Sequence, residues 1–252
     1  MRLVTVGTGT VVPDANRASA CYWVEHGSTR AVVDCGAGAL QGLARADLPW
    51  GDVTHLFISH FHADHIAEIP SLIFALRHGL ALPREAQLDV CGPVGTVQLF
   101  ETWAAAYGPW ILEPGFTVSI SEIRPDVALE LEDFAVRGAE TPHTPESLAF
   151  RFETAAAVLG YTGDTGPSEA LAEFFRGVDL LLSECSLPDE LVGDNHLSPA
   201  HLARMAAAAE VSRLAVTHVY PQLRQLDVPE LIRAAGYVGE IVMADDGLEL
   251  AV

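Results

Sequence analysis

The run His55-Leu56-Phe57-Ile58-Ser59, followed at once by His60-Phe61-His62-Ala63-Asp64-His65, decides how the rest of the chain is read. The first segment is a short, mainly apolar stretch of the kind that forms a buried strand. The second packs four potential metal ligands into six residues at that strand's C-terminal end. Open α/β layers place their sites there, on loops held by a rigid scaffold. Four coordinating groups so close together are costly to bury unless something binds them. Imidazole with carboxylate suits zinc, and also iron or manganese.

Working outward, segments 3–6, 21–25 and 31–34 read as strands separated by Gly, Pro, Asn and Ser, with a short helix over 37–46. Ile66, Ile69, Ile73 and Leu76 recur at helical spacing and predict a helix over 66–77. A strand over 88–91 precedes Gly92-Pro93, which opens a further helix with proline in its first turn. Beyond the 108–115 loop, strands are predicted over 116–123, 127–131, 134–140, 148–153 and 157–161. Helices over 167–175, 199–209 and 228–235 then alternate with strands over 179–183, 213–217 and 240–243. No linker, repeat or charge block divides the chain. The expectation is one domain over residues 1–252 of the α/β class: an αββα sandwich of two mixed β-sheets flanked by helices.

Composition narrows the function. The 252 residues carry 34 acidic and 14 basic side chains, a formal charge of −20, and every basic residue is arginine. Half the residues are hydrophobic and 19% charged, which excludes a disordered chain. The absence of lysine excludes lysine Schiff-base chemistry and a P-loop. A polyanionic partner would need a strong local arginine patch against this field. No apolar run reaches transmembrane length, and residues 1–7 read as a strand and a glycine turn rather than a signal peptide. Cys21, Cys35, Cys91 and Cys185 show no metal-ligand spacing and read as buried free thiols, which fits a cytoplasmic setting.

His-x-His-x-Asp-His after a hydrophobic strand resembles the signature of the metallo-β-lactamase superfamily, and the resemblance extends over essentially the whole chain. Val33-Asp34-Cys35-Gly36 is similar to its Asp-x-Gly strand end. His143 in Thr141-Pro142-His143-Thr144, Asp164 in Thr162-Gly163-Asp164-Thr165 and His218 in Thr217-His218-Val219 occupy the later ligand positions in order. The resemblance implies the metallo-β-lactamase fold and two divalent metal ions, zinc first, with Mn2+ or Fe2+ as alternatives. One ion would take His60, His62 and His143; the other Asp64, His65 and His218; Asp164 would bridge them. A hydroxide between the ions would be the nucleophile, with Asp64 accepting its proton. Asp34 would orient a ligand or, alternatively, cap the turn behind its strand. Histidine at 62 resembles the hydrolases rather than the diiron redox branch, which carries glutamate there. Aspartate at 164 resembles the binuclear hydrolases rather than the lactamases, which often carry cysteine.

Narrower features resemble ribonuclease Z and its phosphodiesterase relatives: Gly7-Thr8-Gly9-Thr10 with Val12-Pro13, Cys91-Gly92-Pro93 with Gly95, and Leu182-Ser183-Glu184-Cys185-Ser186 with His196. That likeness implies that His196 assists phosphodiester cleavage and that Glu184 orients it. The plainer alternative for His196 is a loop histidine beside the helix start at Ser198-Pro199. Two departures count against pre-tRNA as substrate. His143 and Asp164 are only 21 positions apart, with two predicted strands between them, which leaves no long basic arm. Ser183 also replaces the first residue of the usual His-Glu-Ala-Thr box.

The expectation is therefore a binuclear metal-dependent hydrolase acting on small-molecule or nucleotide-type phosphodiesters. The alternatives are tRNA 3′ processing, hydrolysis of an aryl sulfate, lactone or thioester, or a low-turnover metal-binding sensor. A large RNA partner is disfavoured, no membrane partner is expected, and the family resemblance implies a homodimer. His26, His55 and His78 read as ordinary surface or turn residues, and His201 as solvated or bordering the site. Trp103 and Tyr107 read as helix packing, leaving Trp110 in the 108–115 loop as an aromatic candidate beside the site.

Overall fold

The computed structural model describes residues 1–125 and 127–252. The first sheet begins with β1 (Arg2–Gly7), β2 (Cys21–His26) and β3 (Thr29–Cys35), followed by α1 (Ala39–Arg45), β4 (His55–Phe57), α2 (Ala63–Ile66), α3 (Ile69–His78), β5 (Leu88–Gly92), α4 (Thr96–Tyr107) and β6 (Val118–Glu122). The second sheet follows with β7 (Leu129–Glu130), β8 (Ala135–Glu140), β9 (Leu148–Glu153), β10 (Val158–Tyr161), α5 (Glu169–Phe174), β11 (Leu180–Glu184), α6 (Pro199–Ala208), β12 (Arg213–Thr217), α7 (Pro221–Arg224), α8 (Val228–Ala234) and β13 (Glu240–Met243). The chain then returns to the first sheet as β14 (Leu248–Ala251).

The first sheet runs β14-β1-β2-β3-β4-β5-β6 and the second β13-β12-β11-β10-β9-β8-β7. The two share one plan. From β14 to β3, and from β7 to β10, neighbours are antiparallel. From β3 to β6, and from β10 to β13, they are parallel. No internal sequence repeat announces this.

Strands buried on both faces explain the near-continuous apolar runs. Successive side chains point to opposite faces, so each strand feeds two cores. In β3, Ala31 and Val33 enter the layer between the sheets while Val32 faces the helices. In β11, Leu180 and Leu182 do the former and Leu181 the latter. Outside the first sheet, Leu43 of α1, Ile69, Leu72, Ile73 and Leu76 of α3, and Phe100 of α4 complete one core. Outside the second, Leu171 of α5, Leu202 and Met205 of α6 and Ile232 of α8 complete another. The result is the expected αββα sandwich.

Phe57 sits at the centre of the inter-sheet layer, fully buried, with ring centroids 5.3 Å from Phe152 and 6.0 Å from Phe150. Phe57→Ala should therefore cost about 3–5 kcal/mol of stability, read by urea unfolding. A loss below about 1 kcal/mol would show that the two sheets do not depend on this packing.

Three expectations need correction. The helix predicted over 66–77 is two helices, α2 and α3, because Pro70 belongs in a first helical turn and restarts the helix at Ile69. The β14 strand and the short helix α7 were not foreseen; β14 is visible only through its pairing with β1. Trp110 does not approach the ligand cluster. Its indole donates to the Tyr107 carbonyl at 2.8 Å, and its ring lies 5.1 Å from Phe74 of α3. All four cysteines are free and buried, as expected, and Cys21 and Cys35 are in register across β2 and β3. Among the described residues, no helix is long and apolar enough to cross a membrane.

Candidate active site

The loops at the C-terminal ends of β3, β4, β10, β11 and β12 converge at one edge of the sandwich. β4 ends at Phe57, and the segment after it delivers His60, His62, Asp64 and His65, the last two on α2. His143 follows β8, Asp164 follows β10, and His218 directly follows β12. Two close backbone approaches hold these loops together. A Cβ on Gly36 would lie 1.9 Å from the Asp64 carbonyl oxygen, and one on Gly166 1.7 Å from that of Asp194. Only glycine fits at either place. Asp34 and His218 have positive φ, 55° and 54°, strained for side-chain-bearing residues although Asp and His tolerate it best.

The structure brings together all seven residues that the resemblance implied as ligands. Ligand atoms of His60, His62, His143 and Asp164 form one group within 4.8 Å of one another, and those of Asp64, His65 and His218 form a second. The Asp164 carboxylate lies between them: 3.9 Å from His60 Nε2, 3.8 Å from His143 Nε2, 3.4 Å from His65 Nε2 and 3.7 Å from His218 Nε2. Asp64 Oδ2 is 3.3 Å from His218 Nε2, and His62 Nδ1 is 3.0 Å from His143 Nε2.

The donor atoms fit a cation. His60 Nε2, His65 Nε2 and Asp164 Oδ1 are buried without any hydrogen-bond partner. Each such orphan ordinarily costs about 1–3 kcal/mol. Three of them in one pocket, in a set of imidazoles and carboxylates, match the ligand chemistry of zinc and similar metals. The opposite nitrogens are held from behind: His65 Nδ1 by Asp34 Oδ2 at 2.8 Å, His60 Nδ1 by Ser59 Oγ at 3.0 Å, His143 Nδ1 by the Asn195 carbonyl at 2.8 Å. Such partners fix the tautomer so that the inward nitrogen carries the lone pair.

Electrostatics agree. Asp34, Asp64, Asp164 and Glu184 are all buried, and among the described residues no arginine pairs with any of them. Burial alone would raise the Asp164 carboxyl, but the imidazoles of His218, His65 and His60 hold it well below the usual range. Burial would depress His65, yet Asp164 and Asp34 more than reverse this and lift it well above an ordinary histidine. His60 is pushed well below, by desolvation first and then by its neighbouring imidazoles. Four buried carboxylates without a guanidinium call for external positive charge.

Beside the ligands lies a cavity of about 310 Å³, walled by Val11, His62, Asp64, His143, His196 and Tyr220 among others. His196 Nδ1 is 3.0 Å from Glu184 Oε1. Burial works against the charged ring, and the Glu184 hydrogen bond raises its pKa in spite of that. His201 is not at this cavity. It lines a separate groove of about 410 Å³ between α5 and α6, with Pro167, Arg204 and Met205.

Residues 29–219 match the family described as the Beta-lactamase superfamily domain. The chain belongs to the metallo-β-lactamase superfamily. Within it the chain is ribonuclease Z-like, as the sequence resemblance implied. It is similar to the ribonuclease Z of Haloferax volcanii, 30% identical over 308 aligned residues that take in 100% of this chain and 95% of the relative. Among solved structures, the metallo-beta-lactamase fold protein YhfI from Bacillus subtilis superposes with a TM-score of 0.86 at 24% identity, over 99% of this chain and 98% of that one. The short form of human tRNase Z superposes with a TM-score of 0.79 at 20% identity, over 100% and 99%. The protein is a metal-dependent hydrolase of the superfamily.

Sequence reading passed over several residues now seen at this metallo-β-lactamase site: Ser59, Tyr161, Ser186, Asn195 and Tyr220. Tyr161 donates to Asp34 Oδ2 at 2.7 Å across 127 sequence positions. Ser59 and Ser186 lie inside segments already singled out, and only Ser59 carried a signal, a hydroxyl adjacent in sequence to His60. The others left none.

Proposed function

We propose that the protein is a phosphodiesterase of the ribonuclease Z type, working as one hydrolase domain over residues 1–252. In this reading two divalent cations, zinc first, are held by His60, His62 and His143 and by Asp64, His65 and His218, with Asp164 shared. The observation that carries it is the His196–Glu184 pair, 3.0 Å apart, at the wall of the cavity beside the ligand cluster. A hydrolase that needed only metal ligands has no use for it.

Bound cations of this kind acidify a water molecule and polarise the phosphoryl oxygens. The chain's own residues do the rest. Asp64, buried and turned toward the cavity, takes the proton of the attacking water. His196, whose Nδ1–H is committed to Glu184, keeps Nε2 for the substrate. With its pKa raised, it can carry a proton on Nε2 and pass it to the departing oxygen. The free, buried thiols support a reducing, cytoplasmic setting.

The sequence expectation put small phosphodiesters ahead of tRNA 3′ processing. The relatives named ribonuclease Z reverse that order, and 3′ cleavage of an RNA precursor becomes the first substrate reading. Specific observations keep the second reading, small or nucleotide-type diesters. The 308 aligned positions exceed the 252 residues of this chain by 56, so the Haloferax relative carries residues that have no counterpart here. Strands β9 and β10 form a tight hairpin between His143 and Asp164, where an RNA-gripping arm would leave the fold.

The test is a panel with metal content measured on the same sample: a tRNA precursor with a 3′ trailer, a cyclic nucleotide, bis(p-nitrophenyl) phosphate and an aryl sulfate. Metal-dependent endonucleolytic cut at the tRNA 3′ end is the expected result. Turnover confined to the small diesters would favour the second reading, and faster turnover of the sulfate would defeat both.

A further inference from the structure

Two buried carboxylates stand behind the ligand cluster, and each serves two imidazoles. Asp34 meets His65 Nδ1 directly at 2.8 Å and reaches His60 through Ser59, whose Oγ donates to Asp34 Oδ2 at 2.7 Å and lies 3.0 Å from His60 Nδ1. Glu184 has the same arrangement. It meets His196 directly at 3.0 Å and reaches His218 through Ser186, whose Oγ donates to Glu184 Oε2 at 2.6 Å and lies 3.1 Å from His218 Nδ1.

The direction of the second chain follows from proton counting. A serine hydroxyl has one proton, and the shortest, charge-assisted contact takes it, here to Glu184. The competing contacts from Ser186 Oγ, to the His218 carbonyl at 3.2 Å and His196 Nδ1 at 3.4 Å, are longer. The Ser186 lone pairs then face His218 Nδ1, which must carry that ring's proton. His218 Nε2 is left with a free lone pair toward Asp64 and Asp164, 3.3 and 3.7 Å away. Both Ser186 and Glu184 are buried, and Glu184 is further pinned by the backbone N–H groups of Thr165 and Leu197 at 2.7 and 3.2 Å. Ser186 has no slack in which to turn away.

We propose that Ser186 is a positioning residue for the cation position formed by Asp64, His65 and His218, and that through it Glu184 couples the leaving-group imidazole His196 to the metal-ligand imidazole His218. This rests on the ligand assignment given above. Glu184 is then more than the orienting partner of His196, and its loss should damage metal binding as well as turnover. Ser59 plays the matching part for His60 in the other position.

The experiment is zinc titration of the metal-stripped full chain against a chromophoric chelator, for wild type, Ser186→Ala, Ser186→Thr and Ser59→Ala. Ser186→Ala should bind one of two ions as wild type does and the other about 10–100-fold more weakly, the usual cost of losing such a partner. The stripped protein should still unfold in one cooperative step, its stability lowered only by the loss of the buried Ser186–Glu184 hydrogen bond. Ser186→Thr, which restores the hydroxyl, should recover both ions. Ser59→Ala should weaken a different ion, so that Ser186→Ala with Ser59→Ala weakens both. With bis(p-nitrophenyl) phosphate at fixed zinc, Ser186→Ala should lower kcat and leave KM alone. Wild-type binding of both ions by Ser186→Ala, equal weakening of both, or a Ser186→Thr protein as impaired as the alanine variant would each overturn the proposal. The zinc titration needs no substrate, so a chain that binds two ions but hydrolyses no phosphodiester would defeat the functional reading and leave this one to be judged on the variants.

Discussion

Replacement of His196 by alanine is expected to leave the fold and the bound metal intact while phosphodiester turnover falls by roughly 10²–10⁴, the range for one positioned acid or base. The side chain stands at ligand distance from Asp164 and His218 but is not part of either ligand set proposed to hold the cations, so both positions should stay filled without it. The loss should appear in kcat rather than KM, because the proton matters only as the leaving oxygen develops charge. It should shrink for good leaving groups such as nitrophenolate and be greatest for alkoxide or ribose leaving groups. A uniform loss across leaving groups would instead mean that the imidazole stabilises phosphoryl charge. Wild-type turnover of poor leaving groups by a fully metallated His196→Ala protein would return the residue to a loop histidine beside the α6 cap at Ser198.

A larger effect is expected at Asp164. Its carboxylate is nearly inaccessible and lies within 4 Å of four different imidazoles, from three separate loops. Asp164→Ala should leave at most one tightly held ion per chain by elemental analysis. Turnover should fall by about 10⁴ or more, since the several kcal/mol that paired metals give a phosphoryl-transfer transition state would go with it. The change also strips the imidazoles of the charge that stabilises them, so the stripped variant is expected to differ from wild type in its histidine titration. Two ions per chain in purified Asp164→Ala would defeat the bridging assignment even if activity were lost.

How far the site could be read from sequence depended on how local each signal is. His60, His62, Asp64 and His65 share one turn behind one strand, so spacing alone joined them. His143, Asp164 and His218 were legible because each directly follows a strand-like run in a known order. His196 and Glu184 came from a motif, and their contact crosses only 12 positions. Trp110 shows the opposite case. An aromatic in a Gly-Pro loop turned out to pack on Phe74, because which helix a loop covers is a matter of packing.

By itself the sequence determined the αββα class and, through its resemblance to the metallo-β-lactamase superfamily, the seven candidate donors. Apolar runs with a period of two or 3.6 bury the same faces whatever surrounds them, and the ligands sit at fixed offsets from those runs. Only the tertiary structure decided what stands behind the donors. Asp34 gathers Ser59, His65 and Tyr161 from 25, 31 and 127 positions away, and Ser186 meets His218 across 32. It also decided that β14 closes the first sheet against β1 and that the two sheets repeat one plan. Such contacts depend on where packing sets distant backbones to within a few tenths of an ångström, and no periodicity in the chain carries that information.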